Sequence, residues 1–241
     1  MISMQEIQVS VLIIGSLYWH ASKLRREWRK EHLSLEAKKH VKVPIRYGRR
    51  SKGWGNTYTM VYSMNLVREN QFGQAALVPY KEPVKTFGNL LERAKGLWAV
   101  ESNKKHSAHV SADNGWGRIA LLENPHYPLP DNYRSSWTKH ISDEVGYSKV
   151  KSGVGEEKAV DESGFLRIPW PESKDSSDLM VNALLTAVTN PTTNINGEYP
   201  SSKEIAEAWK QSNNKQFADY FRKNRIHEIT TFQDNDIQNW L

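Results

Sequence analysis

The chain has 241 residues and a mass of 27.7 kDa, with 38% hydrophobic and 10% aromatic residues, nine of them tryptophan. That supplies enough apolar volume for one large domain and excludes wholesale disorder. It contains no cysteine, which excludes disulfide scaffolds, thiolate zinc sites, iron–sulfur clusters and cysteine nucleophiles, and fits a reducing cytoplasm. The net charge of +6 is uneven: residues 1–60 hold twelve Lys and Arg against four Glu, a local +8 that leaves −2 for the other 181 residues. Such an excess either attracts an anionic ligand, a nucleic acid or an acidic surface, or serves as a solvated face.

In chain order, residues 7–14 (IQVSVLII) read as a buried strand ending at Gly15-Ser16. The apolar run 9–17 is too short for a membrane span of about 20 residues. Residues 1–8 carry Glu6 and no Lys or Arg, unlike the basic start of a secretory leader. The expectation is a soluble, cytoplasmic protein. Residues 21–31 predict a helix capped by Ser22, with Ala21, Leu24 and Trp28 on one face and most of the cations opposite. Residues 41–47 (VKVPIRY) and 57–63 (TYTMVYS) predict strands joined by the basic loop 48–56. Residues 73–79 predict another strand. Residues 83–101 predict a helix from the spacing of Phe87, Leu90, Leu91, Ala94, Leu97 and Trp98. Residues 116–122 predict a strand ended by Asn124-Pro125.

Beyond this the Pro-, Ser- and Gly-rich stretch 126–176 predicts an irregular connection, with residues 146–164 as a flexible loop. From residue 177 the chain predicts helices: an apolar one over 179–188, one over 203–211 opened by a Ser201/Glu204 capping box, and a third carrying Phe217, Tyr220 and Phe221. The domain plan is a strand-rich core over 1–125, the connection, and a helical extension over 177–241 packing on the core.

The first 125 residues or so resemble the gamma-glutamylcyclotransferase-like family. That family opens with a strand running into a Tyr-Gly-Ser-Asn or Tyr-Gly-Ser-Leu turn, where this chain reads Ile14-Gly15-Ser16-Leu17. An Arg-containing helix follows in the family, matched by residues 25–29. Next comes a strand with a Phe-Gly-like ending, matched by Ile45-Arg46-Tyr47-Gly48. Ser51, Gly53, Gly55 and residues 57–61 fill a Gly-rich turn and strand, and Leu97-Trp98-Ala99-Val100-Glu101 has the frame of a helix ending in Leu-Asp-x-x-Glu-Gly. Two positions depart: the loop Tyr is Ile14, and the helix-end Asp is Trp98.

The resemblance implies an α+β fold with a small mixed or antiparallel β-barrel-like core, here followed by the helical C-terminal extension. It implies an enzyme that cleaves or rearranges an amide of a gamma-glutamyl-type small molecule, with no metal or organic cofactor. A carboxylate takes a proton from the substrate α-amine, which attacks its own γ-amide carbonyl, and returns it to the leaving amine. By position that carboxylate is Glu101, with Glu92 a competitor; burial beside Trp98 is expected to raise its pKa. The turn Ile14, Gly15, Ser16 and Leu17, with Tyr18 beside it, can present backbone amides to an anion. Glycine suits it by allowing unusual φ and close approach. Ser16 as a hydrolase nucleophile is disfavoured, because no Gly-x-Ser-x-Gly frame surrounds it.

The cations support a second class of function. Arg46, Arg49 and Arg50, with Tyr47, Ser51, Trp54 and Tyr58, flank the mouth expected for the same pocket. Guanidiniums grip phosphates bidentately and aromatic rings stack bases. The alternative is therefore a non-enzymatic binder of a nucleotide-derived ligand or of nucleic acid, or aromatics that pack and arginines that solvate. His106, His109 and Asp113 read as surface residues rather than metal ligands, and no phosphate-binding Gly-Lys-Ser/Thr loop or dinucleotide fingerprint occurs. The oligomeric state is not encoded in any pattern of the chain.

Overall fold

Pro44 decides the architecture of the first half of the chain. The computed structural model describes residues 6–51, 57–172, 180–194, 196–212 and 215–241, with 215–219 described by their backbone only. The expected strand 41–47 is two strands, β2 (Lys39–Val43) and β3 (Ile45–Ser51), divided at Pro44. Proline has no N–H to donate to a ladder, so the chain leaves one sheet there and starts another. β3 pairs with β4 (Thr57–Tyr62) as a separate hairpin.

The main sheet has five strands in the order β2, β5 (Gly73–Pro79), β1 (Val9–Ile13), β7 (Ala183–Thr189) and β6 (Gly117–Glu123). β1 runs antiparallel to β5 and parallel to β7, and the two outer pairs are antiparallel. The fold is mixed α+β, as expected. The barrel is not: among the described residues the sheet is open, with β2 and β6 at its edges and the hairpin apart.

β7 corrects a second expectation. In place of the helix expected over 179–188, Ala183–Thr189 is a strand between β1 and β6 and nearly all buried. A run covered on both faces shows no alternation, so its periodicity does not separate strand from helix. Tertiary partners settle it: Thr186 Oγ1 donates to Leu12 O and lies 2.8 Å from the Tyr62 hydroxyl. A strand of the presumed extension is thus an inner strand of the core sheet.

Four helices match expectation in place. α1 (Lys23–His32) follows the first turn, but Arg29 is buried on it instead of facing solvent. The four-residue α2 (Asn65–Arg68) was not predicted. α3 (Phe87–Glu101) starts at Thr86, whose hydroxyl accepts from the Asn89 amide, and buries Leu90, Ala94, Leu97 and Trp98 against β6 and β7. The stretch 126–176 contains an unpredicted helix, α4 (Asp131–Ser142), which buries Tyr133, Trp137 and Ile141. A 3-10 turn over Val145–Lys149 follows it. α5 (Ser202–Gln211) has both hydrogen bonds of the expected capping box. α6 (Lys215–Ile226) is the expected third helix, burying Tyr220 and Phe221, and α7 (Asp234–Trp240) is an addition. Among the described residues, no helix is long and apolar enough to cross a membrane.

Candidate functional site

β1 and β7 are parallel neighbours, so their carboxyl termini lie at the same end of the sheet. There the chain encloses a cavity of about 240 Å³, walled by the turn after β1, the end of α3, β3, β4 and Tyr220 of α6. The turn is tight: Tyr18 N donates to Gly15 O (3.3 Å), and Trp19 N and His20 N both donate to Ser16 O (3.2 and 2.8 Å). Among the described residues, nothing accepts from the amides of Gly15, Ser16 and Leu17. These are groups that a bound anion can satisfy. Arg29, held under the turn, donates to Leu17 O (2.5 Å) and His20 O (3.1 Å), which fixes its shape from below.

Arg25 joins this turn to α3. Its Nη1 donates to Ser16 Oγ (3.0 Å), its Nη2 to Glu101 Oε2 (3.3 Å), and its Nε to Val100 O (3.3 Å). Glu101 therefore meets the turn across the cavity through one guanidinium. Its side chain is 21% exposed. Burial raises its carboxyl pKa above the ordinary value, opposed by the charges of Arg25 and then Arg49. Its place in the last turn of α3 acts in the same direction as burial, since the carbonyl end of a helix disfavours negative charge.

Two aromatic groups close the space. Trp116 lines the cavity and leans on Trp98, with ring centroids 5.0 Å apart. The aromatic expected beside Glu101 thus lies behind the wall rather than in it. Tyr220 is buried, and burial is the main cause that pushes its hydroxyl pKa up to about 12. A Cβ at Gly15 would lie 2.7 Å from the Tyr220 hydroxyl. Gly15 does not have a left-handed φ. Of the two reasons expected for a glycine here, close approach therefore applies and unusual backbone geometry does not.

The structure brings together Ile14, Gly15, Ser16, Leu17, Arg49, Ser51 and Glu101 of the residues singled out from sequence. The others fall elsewhere. Tyr18 packs edge-on against His227 with the Lys38 ammonium over its ring. Arg46 stacks on Tyr199 (4.4 Å) and Phe232 (5.5 Å), and desolvation lowers its pKa. Tyr47 is fully buried against Trp209 and Phe221. The physical cause is a register shift in the hairpin between Tyr47 and Arg49, which breaks the two-residue alternation that would set Tyr47, Arg49 and Ser51 on one face. Arg50 is exposed over Tyr58 and borders a neighbouring groove, not the cavity.

Glu92 lines a different cleft with Trp28, His32 and Tyr80, so it does not compete with Glu101 for this cavity. Trp54, Gly53 and Gly55 lie outside the described residues, as does the side chain of Phe217. His109 Nδ1 lies 3.3 Å from Glu144 Oε1. Among the described residues, no three His, Asp or Glu side chains gather as a metal site.

Sequence reasoning missed Arg25 and Tyr220 as site residues. A signal for the first was present: Arg25 and Arg29, four apart, flank the apolar stripe of Ala21, Leu24 and Trp28, and so lie beside buried surface. Tyr220 had no such signal, because it comes from a helix some 200 residues away in the chain.

No protein-family model, curated protein or solved structure matches this chain.

Proposed function

We propose that the cavity is an acid/base site acting on an amide of a gamma-glutamyl-type small molecule. The observation that carries this reading is the meeting of Glu101 with the Gly15–Leu17 amides across one small space, joined by Arg25. At about 240 Å³ it lies just below the ~300–1,000 Å³ of ordinary ligand clefts, which suits a single amino-acid-sized group. The turn amides and Arg49 hold the substrate carboxylate. Ionised Glu101 takes a proton from the α-amine, whose nitrogen forms a bond to the γ-carbonyl carbon. As the amide C–N bond breaks, the proton passes to the leaving nitrogen, giving a five-membered lactam and a free amine, with no net proton or water consumed. The cavity contributes mainly by holding amine and carbonyl within the same fold of the substrate.

The test is Glu101→Gln against a panel of gamma-glutamyl amides, with lactam and amine measured. The carboxamide keeps the shape and loses the base, so kcat falls by roughly 10²–10⁴ while KM changes little. Full activity in the variant, or no lactam from any amide with the unaltered protein, ends this reading.

A binding-only function is favoured by one observation, the Arg49 guanidinium stacked over Trp116 at 4.8 Å at the mouth of the cavity. In that case ligand affinity survives Glu101→Gln and no amide is turned over by either protein.

A further inference from the structure

A larger groove of about 680 Å³ opens beside the cavity and shares Arg49, Ser51 and Trp116 with it. Its cationic lining adds Arg50, Lys149 and Lys151, and among the described residues no acidic side chain lines it. Lys149 and Lys151 come from the stretch expected to be a connection, so the groove exists only in three dimensions.

Its floor is built rather than incidental. Asn190 Oδ1 accepts from Arg118 Nη2 (3.0 Å) and from the Lys151 amide (3.1 Å). Its Nδ2 donates to Gly115 O and Lys149 O, both at 2.7 Å. One amide thus locks the start of β6, the end of the 3-10 turn and the segment carrying Lys151. Behind this floor stands Arg118, with no exposed surface. Its Nη2 also donates to Gly115 O (2.7 Å), while Nε and Nη1 have no hydrogen-bond partner among the described residues.

Among the described residues, no carboxylate acts on that guanidinium. Burial lowers its pKa to about 10, and only Tyr147, whose ring lies 5.9 Å from it, opposes the shift. A buried cation without a counter-charge is costly. It adds to the positive potential of the four cations in front of it, and an anion in the groove would relieve both.

We infer that the groove receives the amine portion of the substrate and that this portion carries at least two negative charges, as a phosphate or as paired carboxylates. The inference rests on the reaction assigned to the cavity, because the shared Arg49, Ser51 and Trp116 place the groove where the leaving half of a conjugate would emerge. A single carboxylate would leave most of the cationic lining uncompensated. With Arg49 engaged by the substrate carboxylate, the Arg50 guanidinium grips either oxyanion in bidentate fashion, with Lys149 and Lys151 beside it.

Two measurements test it. The first is thermal unfolding with inorganic pyrophosphate, for the wild type and for Arg50→Gln/Lys151→Gln, with the ligand-free melting temperature as the control for folding. The wild type is expected to rise by roughly 3 °C at about ten times the Kd, with the rise shrinking as salt increases, and the double variant is expected to lose it. The second compares kcat/KM for gamma-glutamyl ethylamide, gamma-glutamyl aspartate and the gamma-glutamyl amide of phosphoethanolamine. At least one doubly charged conjugate should exceed the ethylamide by tenfold or more, and its identity separates phosphate from carboxylate. That advantage should vanish in the double variant.

Turnover of the ethylamide with no pyrophosphate effect and no charge preference overturns the groove and leaves the reaction standing. A pyrophosphate effect with no turnover of any conjugate overturns the reaction, and with it the assignment of the groove to a leaving group. Single-stranded oligonucleotide that displaces pyrophosphate and binds far more tightly through Arg50 and Lys151 also overturns the inference, in favour of nucleic acid.

Discussion

Replacing Gly15 by alanine tests the geometry at the centre of the site. The new Cβ would lie 2.7 Å from the Tyr220 hydroxyl oxygen, with the next nearest atom, Tyr220 Cζ, at 3.7 Å. Ordinary contact begins near 3.4 Å, so the hydroxyl must retreat by about 0.7 Å. Tyr220 is buried and edge-on to Trp19, so it yields only by disturbing that packing. Overpacking of this kind costs about 1–3 kcal/mol, partly offset by the ~0.4–1 kcal/mol that alanine contributes by restricting the unfolded chain. A net loss of about 1–2 kcal/mol is expected. In a Tyr220→Phe background the offending oxygen is gone, the remaining 3.7 Å is normal packing, and Gly15→Ala becomes neutral or slightly stabilising. Urea unfolding of the four proteins followed by circular dichroism measures the coupling, expected at about 1–2 kcal/mol. An equal cost of Gly15→Ala in both backgrounds would falsify the claim that Tyr220 reaches over the turn.

Arg25→Met removes the positive charge that does most to hold the Glu101 pKa down. If the proposed reaction holds, activity rises as Glu101 ionises, and the acid limb of the kcat/KM profile is expected to move to higher pH; an unmoved limb would show that Glu101 is not the titrating base. Asp234 offers a stability test away from the site. It is buried, its Oδ1 accepts from the Thr231 amide (2.8 Å) and hydroxyl (2.6 Å), and Oδ2 has no partner among the described residues. Burial raises its pKa from 3.8 to about 6. A raised acid pKa means stability that is fully present below pH 3.8 and is lost as pH rises through about 6, here roughly 3 kcal/mol at 1.36 kcal/mol per unit. Asp234→Asn keeps the acceptor for Thr231 and cannot ionise. The stability difference between wild type and variant should therefore change by most of that amount between about pH 4 and pH 7.5, and a pH-independent difference would show that the carboxyl does not titrate there.

Local patterns were sufficient for much of this protein. The spacing from Leu90 to Trp98 gives α3, Ser201 with Glu204 opens α5, and the β-branched run before Gly15 gives β1, because each rests on interactions within a few residues. The same order along the chain placed Gly15, Ser16 and Glu101 in one frame. Local pattern failed where burial is two-sided or a partner is remote. The segment 183–189 is apolar through most of its length, and only its position between β1 and β6 makes it a strand. Pro44 was visible in the sequence, but that it divides two sheets depends on where β5 and β4 lie to receive the strands on either side.

The chemistry of the site divides along the same line. A carboxylate at a helix end and a glycine-serine turn after a strand are legible as residue types. Whether they face each other depends on Arg25 reaching both and on Tyr220 arriving from the far end of the chain. Likewise the abundance of cations near the start is plain from composition, but its sorting is not. Arg29 and Arg46 go to packing and support, Arg25 and Arg49 to the cavity, and Arg50 to a groove completed by Lys149 and Lys151. Charge and hydrophobicity are properties of single residues and can be read one by one. Apposition is a property of pairs distant along the chain, and the gathering of the turn after β1, the end of α3, Arg25 of α1 and Tyr220 of α6 around one cavity creates it.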